Sequence, residues 1–272
     1  MKNLINVALR AAIDASKEVH KIYDEGFSVS IKEDKSPVTS GDLKSNEIIT
    51  AYLKQTSIPI LSEETEHESE SVIAGWQKYW CVDPIDGTKE YVNKTGEYCI
   101  SIGLLTSETS LLGVLAAPSL ELFYFAAEGL GSYKWNGKYE DLYELLNEED
   151  VTEKILEKSV KLPLKIDLKN YTILTSRSHY SSIDKEYIEK LRIQHPNLVM
   201  FQMGSAIKIG LVAEGKANEY ARLSPINFWD IAGGHAIAKY AGLEIVDYET
   251  KKQITYKNFS TLKISGYIVK NI

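Results

Sequence analysis

Leu4, Ala8, Ala11, Ala15, Val19 and Ile22 recur at three- and four-residue intervals near the start of the chain. That stripe predicts an amphipathic helix over 3–24, ended near Gly26. FSVSIK (27–32) then reads as a short extended piece. Pro37 disfavours helix at Ser36, and Thr39 or Ser40 is placed to cap a second helix. The buried face of that helix falls on Ile48, Ile49, Tyr52 and Leu53. IPILS (58–62) predicts a short buried strand, EETEHESES behind it an acidic solvated loop, and YWCV (79–82) a strand ending at the hexapeptide DPIDGT. From 98 to 136 the apolar runs YCISIGLL, LLGVLAA, LFYFAA and GSYKW are parted by the turns TSET, PSLE and EGLG. Connections this short imply an antiparallel meander.

The pattern changes at 137–170, which is rich in Glu, Lys and Leu with no clear strand, so 139–159 is expected to be a surface helix or excursion. Beyond it, apolar strand runs alternate with helical spacing: YTILTS, helix 182–193, LVMFQ, helix 205–214, NEYAR, helix 229–241, LEIVD. The expected organisation is an α+β part over 1–137 with an antiparallel sheet, followed by an α/β part over 138–272. No internal repeat, low-complexity tract or flexible linker interrupts it.

Composition narrows the class. The chain has 272 residues, 44% hydrophobic and 25% charged, ordinary for a globular protein with a real core. A net charge of -7 argues against a broad nucleic-acid footprint, although local cations leave room for an anionic small molecule. Cys81 and Cys99 each lie inside an apolar run and read as buried thiols rather than a disulfide. Arg10 and Asp14 interrupt the N-terminal apolar pattern, so no secretory h-region is expected. With no stretch approaching a transmembrane span, a cytoplasmic location is expected.

Candidate chemistry gathers at element ends. In DPIDGT, Asp83 follows a strand, and Asp86 sits in a turn shaped by Pro84 and Gly87. An EF-hand needs ligands at alternate positions and a distal Glu, which DPIDGTKEY lacks. The haloacid-dehalogenase phosphatases separate their two aspartates by one residue, not two, which weakens a nucleophilic-aspartate reading. Mg²⁺ prefers a few carboxylates with water and phosphate, and Asp83, the Ile85 carbonyl and Asp86 can face one space across so tight a turn. Gly87 and Thr88 then open a helical turn whose N–H groups suit a phosphate. On this motif alone, an Asp-rich turn capping a helix stands beside the magnesium reading. Glu63 and Glu64 follow the strand IPILS, and Asp42 and Asp230 each fall in the first turn of a helix, where the dipole favours a carboxylate regardless of function. Each has an ordinary structural reading, but four such sites together weaken it. His20, His67 and His195 read as surface residues and His235 as a packing residue. Lys208, taken alone, reads as a solvated helix lysine.

Taken together, SEE (62–64), DPIDGT (83–88) and WDIAGGHA (229–236) resemble the signature of the inositol monophosphatase superfamily of Mg²⁺-dependent, lithium-sensitive phosphatases. KEDKSPVTSGD (32–42), YWCVDPIDGTKEY (79–91), TSRSH (175–179) and GSAIKIGLVAEGKANEYAR (204–222) are similar to its 3′(2′),5′-bisphosphate nucleotidase branch. The resemblance implies a layered αβαβα sandwich and hydrolysis of adenosine 3′,5′-bisphosphate to AMP by metal-activated water, without a phosphoenzyme. It implies two or three Mg²⁺ ions and inhibition by Li⁺. Glu63, Asp83, Ile85 (through its carbonyl) and Asp86 would bind the first metal, and Asp83, Asp86 and Asp230 the second, with Asp42 beside a weaker position. Glu63, Thr88 and Asp42 would orient and deprotonate the water. Gly87 and Thr88 would receive the scissile phosphate, while His179, Ser205, Lys208 and Arg222 would contact the other phosphate and the sugar. The expected partner is a small phosphorylated nucleotide, not nucleic acid or membrane, and the protein a monomer or homodimer. An excursion at 139–166 is longer and more acidic than in compact bacterial members. The alternatives are an inositol- or sugar-phosphate phosphatase of the same superfamily and a non-catalytic phosphonucleotide-binding protein.

Overall fold

The computed structural model describes residues 1–33 and 35–271; Asp34, within the KEDKSPVTSGD segment, lies outside the described residues. Helix α1 (Lys2–Glu25) carries the expected apolar stripe and stops at Gly26, whose φ of 114° a side chain would resist. Strands β1 (Val29–Ile31) and β2 (Pro37–Thr39) form an antiparallel hairpin leading into α2 (Ser40–Leu53). The cap of α2 is Thr39, in a reciprocal capping box with Asp42 three residues on. There follow β3 (Ile60–Ser62), α3 (Glu70–Ala74), β4 (Tyr79–Asp86), α4 (Thr88–Val92), β5 (Cys99–Leu105), β6 (Ser110–Ala117), β7 (Leu122–Ala127) and β8 (Gly131–Trp135). Next come α5 (Tyr139–Glu144), α6 (Val151–Glu157), β9 (Ser159–Lys161), β10 (Thr172–Ser176), α7 (Ser182–Gln194), β11 (Val199–Met203) and α8 (Ile207–Ala213). The chain closes with β12 (Glu219–Arg222), β13 (Ile226–Asn227), α9 (Trp229–Ala241), β14 (Glu244–Asp247), β15 (Lys263–Ile264) and β16 (Tyr267–Lys270).

Strands β3 to β9 form one sheet in sequence order, antiparallel except for the β3–β4 pair. Alternation along its strands feeds two cores. Trp80, Val82, Ile100, Ile102 and Phe123 pack against α1 and α2, whereas Tyr79, Cys81, Cys99 and Tyr124 pack against α8 and α9. The sheet is covered on both faces, so its strands read as continuous apolar runs rather than polar–apolar alternation. A second sheet, ordered β11-β10-β12-β16-β14, takes the other side of α8 and α9 and carries α7 on its outer face through Ile173, Ile188, Leu191 and Ile268. The layers are therefore α, β, α, β, α, as the resemblance implied. Helix α9 approaches the first sheet at backbone distance. A Cβ at Gly113 would stand 2.0 Å from the Gly233 carbonyl oxygen, and one at Gly103 2.6 Å from the Ala232 Cβ.

Three expectations are corrected. Residues 139–159, expected as a surface helix or excursion, form helices α5 and α6 that are more firmly seated than that: Tyr139, Leu142, Val151 and Ile155 are buried in the core under α1, and Arg10 on α1 donates to the Leu146 and Glu148 carbonyls at 2.8 and 2.6 Å. Strand β9 then adds to the first sheet, so the passage between sheets comes after Lys161 rather than at 137/138. Strand β4 does not end at Val82. It runs through Asp86, with a register shift between Asp83 (opposite Ser101) and Asp86 (opposite Cys99). Strand β16, inserted antiparallel between β12 and β14, was not expected at all.

Candidate active site

The irregularity in β4 builds the centre of the site. Between Asp83 and Asp86 the strand gains one residue that its partner does not match, and both carboxylates line the same cleft. The Asp83 carboxylate accepts the Ile85 amide at 3.1 Å, and Ser45 on α2 braces the Pro84 carbonyl at 2.8 Å. Glu63 arrives from the end of β3, its own amide bonded to the Val82 carbonyl at 3.1 Å. Asp230 arrives in the first turn of α9, its carboxylate accepting the Asn227 amide at 2.9 Å. Carboxylate oxygens of Glu63, Asp83 and Asp230 lie within 4.8 Å of one another. Three elements distant in sequence thus bring three hard oxygen donors together.

Asp86 faces the same cleft from the other side of the turn and accepts the Ala206 amide. Asp42 divides its two oxygens. Oδ2 closes the α2 cap with the Thr39 amide and hydroxyl, at 2.7 and 2.5 Å, while Oδ1 accepts the Thr88 hydroxyl at 3.2 Å. That hydroxyl also lies 3.1 Å from the Ile85 carbonyl oxygen. Gly87, at φ 93°, turns the chain into α4; a Cβ there would lie 2.9 Å from the Glu97 carbonyl oxygen.

Burial, and after it the crowding of carboxylates, sets the electrostatics. Burial, followed by the charges of Glu63, Asp86 and Asp230, raises the Asp83 carboxyl well above its ordinary value. Burial and the Asp86 and Glu63 charges push Asp230 up to about 8. Asp86 is pushed up to about 6 by burial, against the opposing pull of Lys208 and the Ala206 amide. Asp42 is also raised, by burial. Among the described residues no lysine or arginine pairs with Asp83 or Asp230, and Lys32 alone reaches Glu63, at 3.1 Å, while also holding Glu64. Buried oxygen donors that repel one another suit a hard divalent cation.

The whole cleft, carboxylates included, is about 330 Å³, and its other wall is formed by the second sheet and its loops. His179, Ser205, Lys208 and Arg222 are all among the residues that line it. Arg222 keeps a buried Nη1 with no hydrogen-bond partner. Burial and the Arg222 and Lys89 charges lower the His179 imidazole, which therefore stands neutral near pH 7. Lys208 is not a solvated helix lysine. It is 1% exposed, donates to the carbonyls of Met203 and Gly204 at 2.9 and 2.8 Å and to that of Ser205, and lies 4.8 Å from the Tyr220 ring. Desolvation lowers its ammonium to about 8. Sequence reasoning missed Lys32, Glu90 and Tyr220 as neighbours of the site, although all three stand inside motifs it quoted. Of the histidines, His235 is buried with Nδ1 2.8 Å from the Tyr256 hydroxyl, a packing role as expected.

This fold and this carboxylate cleft define a class. The inositol monophosphatase family matches residues 1–270, and the chain belongs to that family. Within it, the chain is 34% identical to the 3′(2′),5′-bisphosphate nucleotidase CysQ of Escherichia coli K12, over 91% of this chain and 92% of that protein. It is 29% identical to CysQ of Haemophilus influenzae, over 96% and 90%. The crystal structure of CysQ from Bacteroides thetaiotaomicron superposes with a TM-score of 0.88 at 36% identity, covering 99% of this chain and 97% of that one. An inositol monophosphatase from Anabaena shares the fold, at TM-score 0.69 and 18% identity, covering 100% and 91%.

Proposed function

We propose that the protein is a Mg²⁺-dependent 3′(2′),5′-bisphosphate nucleotidase that releases the 3′-phosphate of adenosine 3′,5′-bisphosphate as inorganic phosphate and leaves AMP. One observation carries the reading. A trio of mutually repelling carboxylates and a wall carrying His179, Ser205 and Arg222 face each other across one cleft. That cleft suits a substrate with two phosphates, one at the metals and one beyond them. The identities to CysQ nucleotidases support the same substrate class.

Glu63, Asp83, Asp86, Asp230 and the Ile85 carbonyl would hold the ions. When bound, Mg²⁺ neutralises phosphate charge and makes a water acidic enough to attack at neutral pH. The chain's own residues do the rest. The N–H groups of Gly87 and Thr88 seat the scissile phosphate at the turn into α4. The Thr88 hydroxyl, bonded to Asp42, accepts a proton from the attacking water as it passes its own to the carboxylate. Asp42 is suited to that role because burial raises its proton affinity while the Thr39 cap fixes its orientation. Glu63 orients the water from the opposite side. The water attacks phosphorus in line with the ester oxygen, which leaves with a proton from solvent. Arg222, Ser205 and His179 bind the second phosphate and sugar, and Lys208 shapes their wall. Cys81 and Cys99 are free and buried, which favours a reducing, cytoplasmic setting; no helix among the described residues is long and apolar enough to cross a membrane.

The test is phosphate release from adenosine 3′,5′-bisphosphate and from inositol 1-phosphate, each with Mg²⁺, with EDTA and with added Li⁺. Mg²⁺-dependent, Li⁺-sensitive release that strongly favours the bisphosphate is expected. Preference for inositol 1-phosphate would replace this reading with a sugar-phosphate phosphatase, and binding without turnover would replace it with a sensor.

A further inference from the structure

The wall that faces the second phosphate is made of two segments that are not neighbours in sequence, 177–179 at the end of β10 and 203–206 after β11. Neither is held by its own sheet alone. Both converge on one side chain from the other half of the molecule, Glu97, in the connection between α4 and β5. Its Oε1 accepts Arg177 Nη2 at 2.7 Å. Its Oε2 accepts Arg177 Nε at 2.9 Å and the Gly204 amide at 2.8 Å. Arg177 closes the triangle by donating Nη2 to the Gln202 carbonyl at 2.9 Å and its amide to the Met203 carbonyl at 3.2 Å.

The 203–206 turn needs such a fixture. Ser205 sits at φ 52°, a left-handed conformation that a non-glycine residue resists, and the three carbonyls before Ala206 are all drawn toward the Lys208 ammonium. Gly204 leaves no slack: a Cβ there would lie 2.6 Å from the Glu97 carbonyl oxygen and 2.6 Å from Glu90 Cγ. Two residues on, the amide of Ala206 is the one bonded to Asp86. The same turn therefore presents Ser205 to the cleft and touches a carboxylate of the metal cluster. The Glu97 side chain is 17% exposed, so these charge-assisted bonds are only partly screened. The Arg177 and Gly204 bonds also outweigh its burial and hold its carboxyl below the ordinary glutamate value, keeping it ionised at neutral pH.

We infer that Glu97 is a positioning residue for substrate selection: by clasping Arg177 and the Gly204 amide together, it sets the His179 and Ser205 segments at the spacing that admits a second phosphate. It touches no reacting atom. The inference rests on the nucleotidase reading for its substrate, but its geometric part stands independently. An aspartate would fall a methylene short of both partners, and a glutamine offers one acceptor oxygen where two are used.

The experiment compares wild type, Glu97→Gln and Arg177→Lys. It measures KM and kcat for adenosine 3′,5′-bisphosphate and for adenosine 3′-monophosphate, which keeps the scissile phosphate and lacks the other. It also follows hydrogen exchange of the 203–206 amides in the full chain. Glu97→Gln is nearly isosteric, and a thermal melt confirms that it folds. Loss of a charge-assisted bond predicts a KM for the bisphosphate raised about tenfold, with the monophosphate KM within about twofold of wild type. Exchange at Gly204 and Ala206 should accelerate, and Arg177→Lys should reproduce both effects in weaker form. Equal rises in the two KM values would overturn the selection role, as would a fall in kcat alone. Unchanged exchange at 204–206 would overturn the clasp. If wild type itself ignores the bisphosphate, the nucleotidase reading fails, while the exchange measurement still decides whether Glu97 holds the turn.

Discussion

Replacing Asp230 by Asn is expected to make the metal-free protein more stable while destroying its activity. Asp230 shares its cleft with Glu63, Asp83 and Asp86, and burial with their charges pushes its carboxyl from 3.8 up to about 8. The sign follows from linkage. Below pH 4 the carboxyl is protonated in both folded and unfolded chains and costs nothing. Between the unfolded and folded values the unfolded chain releases a proton that the folded one retains, so stability falls as pH rises, and the loss is complete above about 8. At pH 7 the full shift corresponds to about 4 kcal/mol, and because Asp230 is only half-buried, about half of that is the better expectation. Asparagine keeps an oxygen for the Asn227 amide and removes the charge.

The assay is urea unfolding in EDTA at about pH 5.5 and about pH 7.5, for wild type and Asp230→Asn. Wild type should lose about 1–3 kcal/mol more than the variant between the two pH values. Mg²⁺ should stabilise wild type at the higher pH more than the variant, which keeps the first set of ligands but loses one from the second, because a ligand that binds only the folded state stabilises by mass action. Equal pH slopes, or a variant less stable than wild type in EDTA, would refute the claim that this cluster is electrostatically strained without a cation.

Asp83→Asn should abolish Mg²⁺-dependent phosphate release with the fold retained by circular dichroism; near-normal turnover would remove Asp83 from the metal set. Thr88→Val deletes the hydroxyl between water and Asp42, and kcat should fall about a hundredfold or more with KM little changed, whereas Thr88→Ser should restore most of it. Arg222→Gln should raise KM for the bisphosphate about tenfold and spare a monophosphate, read by parallel kinetics on both substrates. Lys32→Met frees Glu63 and Glu64 of their ammonium, and calorimetry should show Mg²⁺ bound up to about fivefold more tightly, since a partly exposed pair is worth up to about 1 kcal/mol.

What the sequence made legible is what short-range physics writes into it. The stripe of α1 and its stop at Gly26, the Thr39 cap of α2 and the meander over 98–136 are each decided within a few residues by spacing, capping or turn length. So is the inward turn of DPIDGT, although the strand continuing through it was not foreseen, because the register shift depends on the partner residues Ser101 and Cys99. The elements that were missed answer to distant neighbours. YIVK (267–270) has neither the length nor the alternation of an independent strand, and it is one only because β12 and β14 flank it on both sides. The helices over 139–157 look polar in sequence, yet four side chains at Tyr139, Leu142, Val151 and Ile155 suffice to seat them on α1.

Lys208 shows the same limit within the site. On a helix wheel it reads as a surface lysine, because nothing local announces that three carbonyls from 203–205 converge on its ammonium. An ammonium so committed has few donors left for a substrate phosphate, so any effect of Lys208 on a ligand is expected through the turn it holds. Truncating it would strand those carbonyls and open a void, and the resulting loss of stability would obscure any change in KM. Arg222 and Glu97 are the cleaner probes of the second-phosphate wall. One lines the cleft, and the other grips the wall from outside it. If both variants raise KM for the bisphosphate alone, selectivity depends on how the two halves are fastened around the cleft as well as on the charged residues it contains.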